Sequence, residues 1–244
     1  MAGLGRWRAS FVDRRDAGVK LAAAVAQVLS ASPRPSGTGG GTVVLGLPRG
    51  GVVLAAEVAD ALGAAWDVVL VRKLGAPHRP ELGLGAIAED GVRVLNERLI
   101  ARLGVTDEEL DAVTSRERAE LDRRAALYRH DGPRATLTGA TVVVVDDGLA
   151  TGYTALAALE SVRRRGAART LLAVPVGARD AVALLRPAVD DLVCLVVPAE
   201  FEAVGQAYRT FGQVPDAEVL AALDRDPRRR DRSRPAGPTN GRPR

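Results

Sequence analysis

Cysteine is almost absent from this chain. A single residue, Cys194, excludes an intrachain disulfide framework and any multi-cysteine zinc site, and points to a reducing compartment. Two histidines leave little for a histidine-based metal cage. Aromatic residues make up only 3% of a sequence that is 47% hydrophobic. The core must therefore be built from Ala, Val and Leu, which suits a Val-rich parallel sheet wrapped by Ala/Leu-rich helices. No stretch approaches the roughly 18 to 20 apolar residues of a membrane span. The opening MAGLGRWRASFVDRRD lacks the apolar region of a signal peptide. These absences predict a soluble, cytoplasmic protein with no membrane partner.

Basic charge is present but confined. The net charge is +4, yet residues 225–244 (RDPRRRDRSRPAGPTNGRPR) contribute +6, leaving about −2 for residues 1–224. The folded part is thus not basic, and nucleic acid is not expected as a partner on charge grounds. The tail is rich in Arg, Pro and Gly without apolar periodicity and is expected to be disordered. Residues 1–9 are expected to be a flexible N-terminus, and residues 10–224 one domain with its core at about 42–198.

Within that domain the hydrophobic pattern alternates between strand and helix. Residues 11–29 have helical spacing, and residues 30–41 (SASPRPSGTGGG) read as a connection. TVVLGL (42–47), WDVVLV (66–71), TVVVVD (141–146), RTLLAVPV (169–176) and DLVCLVVP (191–198) are buried-strand candidates. Helices are predicted at 52–62 with Gly63 as C-cap, at 96–103, at 106–128 with Thr106 and Glu109 as a capping box, after 153, around 180–185 and at 215–223. Residues 73–91 break the pattern and read as a long loop plus a short strand, GAIAE, paired with VRVL (92–95). Arg72 and Lys73 are read as the end of the second strand. Strands alternating with helices imply right-handed crossovers and an α/β fold. Ligands in such folds sit beyond the carboxyl ends of the strands.

The loop following 145 carries most of the chemistry. VVVVDDGLATGYT (142–154) brings a buried strand to Asp146 and Asp147, then to Gly148, Leu149, Ala150, Thr151, Gly152, Tyr153 and Thr154 at the start of a helix. Neighbouring side chains on an extended segment point to opposite sides, so at least one carboxylate can face a ligand's vicinal hydroxyls. The Gly/Thr turn and helix N-terminus form a phosphate cradle. Acids beside such a cradle describe a ribose phosphate better than a bare phosphate. Turn and N-cap duty is the competing reading. Leu47-Pro48-Arg49-Gly50-Gly51 has a related design: two glycines allow close approach, and Arg49 can fork onto phosphate. Gly83-x-Gly85-x-x-Ala88 lacks the strand-turn-helix context of a dinucleotide fingerprint. The glycine run 37–41 lacks the Lys-Ser/Thr of a P-loop.

VVVVDDGLATGYT resembles the 5-phosphoribosyl-1-pyrophosphate (PRPP) motif of type I phosphoribosyltransferases. LPRGG (47–51) resembles that family's pyrophosphate loop, which often holds a cis peptide. VRKLGAP (71–77) resembles the start of its flexible active-site loop. With PELGLGAIAEDG and FEAVGQAYRTFGQVPDAEV, the chain looks like a bacterial subgroup described by its phosphoribosyltransferase domain, over residues 10–224. The resemblance implies a phosphoribosyltransferase-type parallel sheet flanked by helices, with N- and C-terminal segments forming a hood. It further implies Asp146 and Asp147 over the ribose hydroxyls, and Gly148 with Ala150 to Thr154 on the 5-phosphate. Arg49, Gly50, Gly51 and Arg72 would hold pyrophosphate, and Lys73 would neutralise it as it leaves. Mg²⁺ is expected to be held mainly by PRPP, with no direct protein ligands. A homodimer is compatible with the resemblance.

One position departs from part of the family. Where enzymes acting on 6-oxopurines place an acid/base aspartate, this chain has Ala150, which can move no proton. Glu81 is the candidate proton-transfer residue instead. The expected function is phosphoribosyl transfer from PRPP to a nitrogenous, small-molecule acceptor; the alternative is a PRPP- or nucleotide-sensing protein of the same fold. Phe201, Tyr208 and Phe211 either stack on a base or belong to the core.

Overall fold

A computed structural model describes residues 10–31, 40–129 and 134–225. The expectations for residues 1–9 and for the tail beyond Arg225 lie outside the described residues. In chain order the elements are α1 (Arg14–Ala31), β1 (Thr42–Gly46), α2 (Gly50–Leu62), β2 (Ala65–Val68), β3 (Val71–Ala76), β4 (Arg79–Ala88) and β5 (Arg93–Leu95). They continue with α3 (Glu97–Leu103), α4 (Asp107–Tyr128), β6 (Thr141–Val145), α5 (Tyr153–Arg164), β7 (Arg169–Val176), α6 (Arg179–Leu185), β8 (Asp191–Val196) and α7 (Asp216–Arg225).

Five strands form a parallel sheet in the order β2-β1-β6-β7-β8. Its central strands are covered on both faces, which is why residues 142–145 of β6 and 171–176 of β7 are continuous apolar runs rather than alternating ones. Side chains nonetheless divide with a period of two. Val44, Val143, Val145 and Leu171 pack with α1 and α2 through Leu21, Val25, Leu54 and Val58. Val43, Leu45, Val142, Val144 and Leu172 pack on the other face with Ala158, Leu159 and Val162 of α5. Each wholly buried valine of β6 is worth roughly 1.5–3 kcal/mol. That strand is therefore the most firmly anchored support available to the acids that follow it. Small residues replace aromatics where helices meet: Gly18 of α1 lies against Leu54 and Glu57 of α2 so closely that a Cβ would stand 3.0 Å from Glu57 Cβ.

Several sequence-predicted caps are present. Gly63 closes α2 with φ 57°, and Thr106 and Glu109 form a reciprocal capping box on α4. Residues 73–91 require correction. They are chiefly a β-hairpin, with β3, β4 and β5 forming a separate antiparallel sheet in that order. Arg72 and Lys73 accordingly lie within β3, not at the end of the second parallel strand, which stops at Val68. Glycines hid this hairpin from the sequence, because its spacing serves close backbone approach rather than side-chain alternation. A Cβ at Gly75 of β3 would stand 2.5 Å from Pro80 O on β4. The GAIAE–VRVL pairing is found as β4 with β5. Among the described residues, no helix is long and apolar enough to cross a membrane.

Candidate active site

Parallel neighbours β1 and β6 end at the same edge of the sheet, so the loops leaving them must meet. Leu47 N donates to Val145 O at 2.9 Å, tying the first loop to the last residue of β6. The Pro48–Arg49 peptide is cis. The chain then enters α2 at Gly50 and Gly51 directly beneath the acids. A Cβ at Gly50 would fall 1.8 Å from Asp147 Oδ2, and one at Gly51 would fall 2.9 Å from Asp146 Cα. The two motifs thus form one surface, with main chain in place of side chain at their contact.

Asp146 extends the ladder by donating its N–H to Ala173 O at 3.3 Å, while its Oδ1 accepts from Asp147 N at 2.8 Å. Burial, together with the neighbouring Asp147 carboxylate, pushes the Asp146 carboxyl well above the usual aspartate range. Burial raises Asp147 too, against the opposing pull of Arg14. Leu149 then anchors the loop. It is buried, donates to Val176 O at 2.9 Å and accepts from Ala178 N at 2.9 Å. Beyond it Ala150 and Thr151 are exposed at the tip, Gly152 caps α5 with φ 83°, and Tyr153 and Thr154 open the helix half-buried. The first turn of α5 has amide groups with no partner inside the helix, and its dipole adds positive potential. Acid, small residues and helix N-terminus therefore line a single stretch, suited to hydroxyls at one end and an anion at the other.

Arg49 stands at the rim, one-third exposed, with Nη1 3.9 Å from Asp216 Oδ1 of α7. The hairpin residues have other partners. Arg72 donates from Nε and Nη2 to Glu117 Oε2 of α4 at 2.9 and 2.7 Å, and Lys73 Nζ donates to the Glu81 carbonyl across the hairpin. The structure thus gathers Arg49, Gly50, Gly51, Asp146, Asp147 and the following loop at the strand ends. Arg72, Lys73 and Glu81 make their contacts with the hairpin and α4.

One residue of the site escaped sequence reasoning and another was read in a different role. Arg14, in the first turn of α1, donates from Nε to Asp147 Oδ2 at 2.9 Å and from Nη1 to Gly212 O at 2.8 Å. Its guanidinium lies 3.9 Å from the centre of the Phe211 ring. Tyr208 donates its hydroxyl to Asp147 O at 2.6 Å, and burial raises its pKa, so it remains a neutral donor. Tyr208 also stacks on Phe211 at 4.9 Å and meets Phe11 at 5.5 Å, so these aromatics form a small cluster over the acids. Arg14 carried no local signal: a charged residue opening a helix reads as solvated surface. Tyr208 was visible as an aromatic but not as a donor to the motif.

A model of the phosphoribosyl transferase domain matches residues 19–205. A protein of Mycobacterium tuberculosis H37Rv with the name "Putative phosphoribosyl transferase Rv0571c" is 50% identical over 215 residues, 88% of this chain and 46% of that protein. The chain thus spans about half the length of the curated relatives it matches. A solved structure, TT1426 from Thermus thermophilus, shares 45% identity with a TM-score of 0.70, covering 89% of this chain and 98% of that one. The matched segment takes in both strand-end loops and the hairpin between them, and on that ground the chain belongs to the phosphoribosyl transferase domain family.

Proposed function

We propose that the protein transfers a phosphoribosyl group from PRPP to a nitrogenous, base-like acceptor and releases pyrophosphate. The observation that supports this most directly is the contact of Gly50 and Gly51 with Asp146 and Asp147. It sets two acids able to accept from ribose hydroxyls beside a loop suited to pyrophosphate, as a donor carrying both groups on one sugar requires. In this reading Asp146 and Asp147 accept from the ribose hydroxyls, and Gly148 with Ala150 to Thr154 hold the 5-phosphate. Arg49, Gly50 and Gly51 hold the pyrophosphate. Arg72 can join them only by leaving Glu117.

In the reaction the bond from ribose C1 to pyrophosphate oxygen breaks and a bond from C1 to the acceptor nitrogen forms. Lys73 stabilises the negative charge gathering on pyrophosphate, and Glu81 takes the acceptor proton. Both ride on the β3–β4 hairpin and would move together as it closes over the site, excluding water. Magnesium suits this arrangement as a passenger of PRPP. Two adjacent, partly buried carboxylates, of which only Asp147 is paired with Arg14, favour a cation nearby, while no group of three or more His, Cys, Asp or Glu among the described residues could hold one alone. Bound that way, the ion supplies charge neutralisation to the leaving pyrophosphate.

Pyrophosphate release from PRPP and Mg²⁺, assayed across a panel of purine and pyrimidine bases, tests the proposal. Release that depends on one acceptor supports it. PRPP binding with no release under any acceptor would assign the protein to sensing instead.

A further inference from the structure

Asp147 is held from three directions by segments far away in sequence. Arg14 Nε meets its Oδ2 at 2.9 Å, and Tyr208 donates to its carbonyl at 2.6 Å. The Gly50 main chain closes the third side. Arg14 in turn is fixed by the Gly212 carbonyl at 2.8 Å and by the Phe211 ring beneath its plane. Those two residues belong to a segment bound to the stretch just before α1 by main-chain bonds. Phe11 N donates to Ala207 O at 3.0 Å, Arg209 N to Phe11 O at 2.9 Å, and Thr210 N to Val12 O at 3.0 Å.

An ion pair this far inside, with side chains 13% and 17% exposed, is not a solvated surface contact. Nor is it needed to join the hood segments, which their own main-chain bonds and the aromatic cluster already hold. What it sets is the carboxylate. Planar guanidinium stacked on a ring and bonded at two edges has one orientation, so the carboxylate it meets has one as well.

From this arrangement we infer that Arg14 is a positioning residue for PRPP: acting through Asp147, it orients that carboxylate toward the ribose hydroxyls and makes the hood formed by residues 11–14 and 207–212 part of the donor site. This inference rests on the PRPP reading above. Arg14 itself keeps its place on Asp147 Oδ2 and touches no reacting atom. The carboxylate's remaining lone pairs are the acceptors for ribose.

A double-mutant cycle on the full chain tests it, with the PRPP dissociation constant in Mg²⁺ buffer measured by calorimetry and melting temperature followed in parallel. With the carboxylate released from its fixed orientation, Arg14→Ala should weaken PRPP by roughly tenfold or more. In an Asp147→Asn background the same Arg14→Ala change should cost less than about twofold, because the residue through which it acts has lost its charge. Arg14→Lys, which keeps charge but not the stacked fork, should recover only part of the loss. Tighter or unchanged PRPP binding in Arg14→Ala overturns the inference, as does an equal loss in both backgrounds. Failure of the wild-type protein to bind PRPP would instead overturn the donor assignment, and with it the inference. If Arg14→Ala does not fold, the Arg14→Lys arm decides: PRPP binding equal to wild type refutes a positioning role.

Discussion

Replacing Gly50 by alanine adds one methyl group at the contact between the two loops. That group would stand 1.8 Å from Asp147 Oδ2, 2.5 Å from its Cγ and 3.0 Å from Arg14 Nε. Ordinary contact needs about 3.5 Å, so the carboxylate must retreat by roughly 1.5 Å. A free aspartate could swing aside at little cost, but this one is bonded to Arg14 at 2.9 Å. Its retreat breaks that bond, worth about 1.5–3 kcal/mol. Helix propensity works the other way, since alanine at the first position of α2 is favoured over glycine by up to about 1 kcal/mol. The net change in stability should therefore be modest, about 1–2 kcal/mol, or a fall in melting temperature of roughly 2–8 °C. The functional change should be much larger, because a displacement of about 1 Å in a positioning group can cost on the order of 100-fold. Gly50→Ala is expected to fold and to lose about two orders of magnitude in PRPP turnover or affinity. Thermal melting and PRPP titration on one preparation check both halves. A variant that binds PRPP within twofold of wild type would show that the position of Asp147 is irrelevant to the donor, and would refute the reasoning.

Acidification should act in opposite directions on stability and binding. The Asp146 carboxyl keeps its proton in the fold to a pH well above the 3.8 of an unperturbed aspartate, so its favourable contribution to the free protein is full below 3.8 and lost as pH rises through the folded value. PRPP affinity, which needs carboxylate acceptors, should instead rise with pH over the same window. Melting curves and PRPP titrations between about pH 4 and 8 should show both trends in wild type, with the Asp146 share of the stability trend absent in Asp146→Asn. Tyr208→Phe removes only the bond to Asp147 O and should cost about 1 kcal/mol of stability with a several-fold weaker PRPP constant. Lys73→Ala should leave PRPP binding within a few-fold and lower turnover by about 100-fold, the scale expected of a charge stabiliser in the transition state. Single-turnover kinetics separate the two.

Much of this architecture was legible because it is written in local pattern. A run of four valines can be buried on both faces only at the centre of a parallel sheet, and β6 is there. Asp146 and Asp147 follow that run, so the strand's end placed them at the edge where ligands bind in such folds. Capping residues of α2 and α4 were equally local. Pro48 to Gly51 belonged to the same class, since a strand leading into a glycine-opened helix states its own geometry.

The hairpin and the hood were not written that way. β3 and β4 pair through glycine-rich backbone whose purpose becomes visible only where Gly75 meets the Pro80 carbonyl, so that stretch read as a loop. Arg14 and Asp147 are 133 residues apart, and nothing near either one announces the other. Sequence alone determined the strand and helix alternation, the composition of the core and the Gly/Thr turn between β6 and α5, because those depend on periodicity within one turn or one strand. Tertiary structure alone decided which glycine lies under which acid, and which arginine holds that acid in place. Those choices are made by side chains meeting across folded space, where sequence distance carries no information.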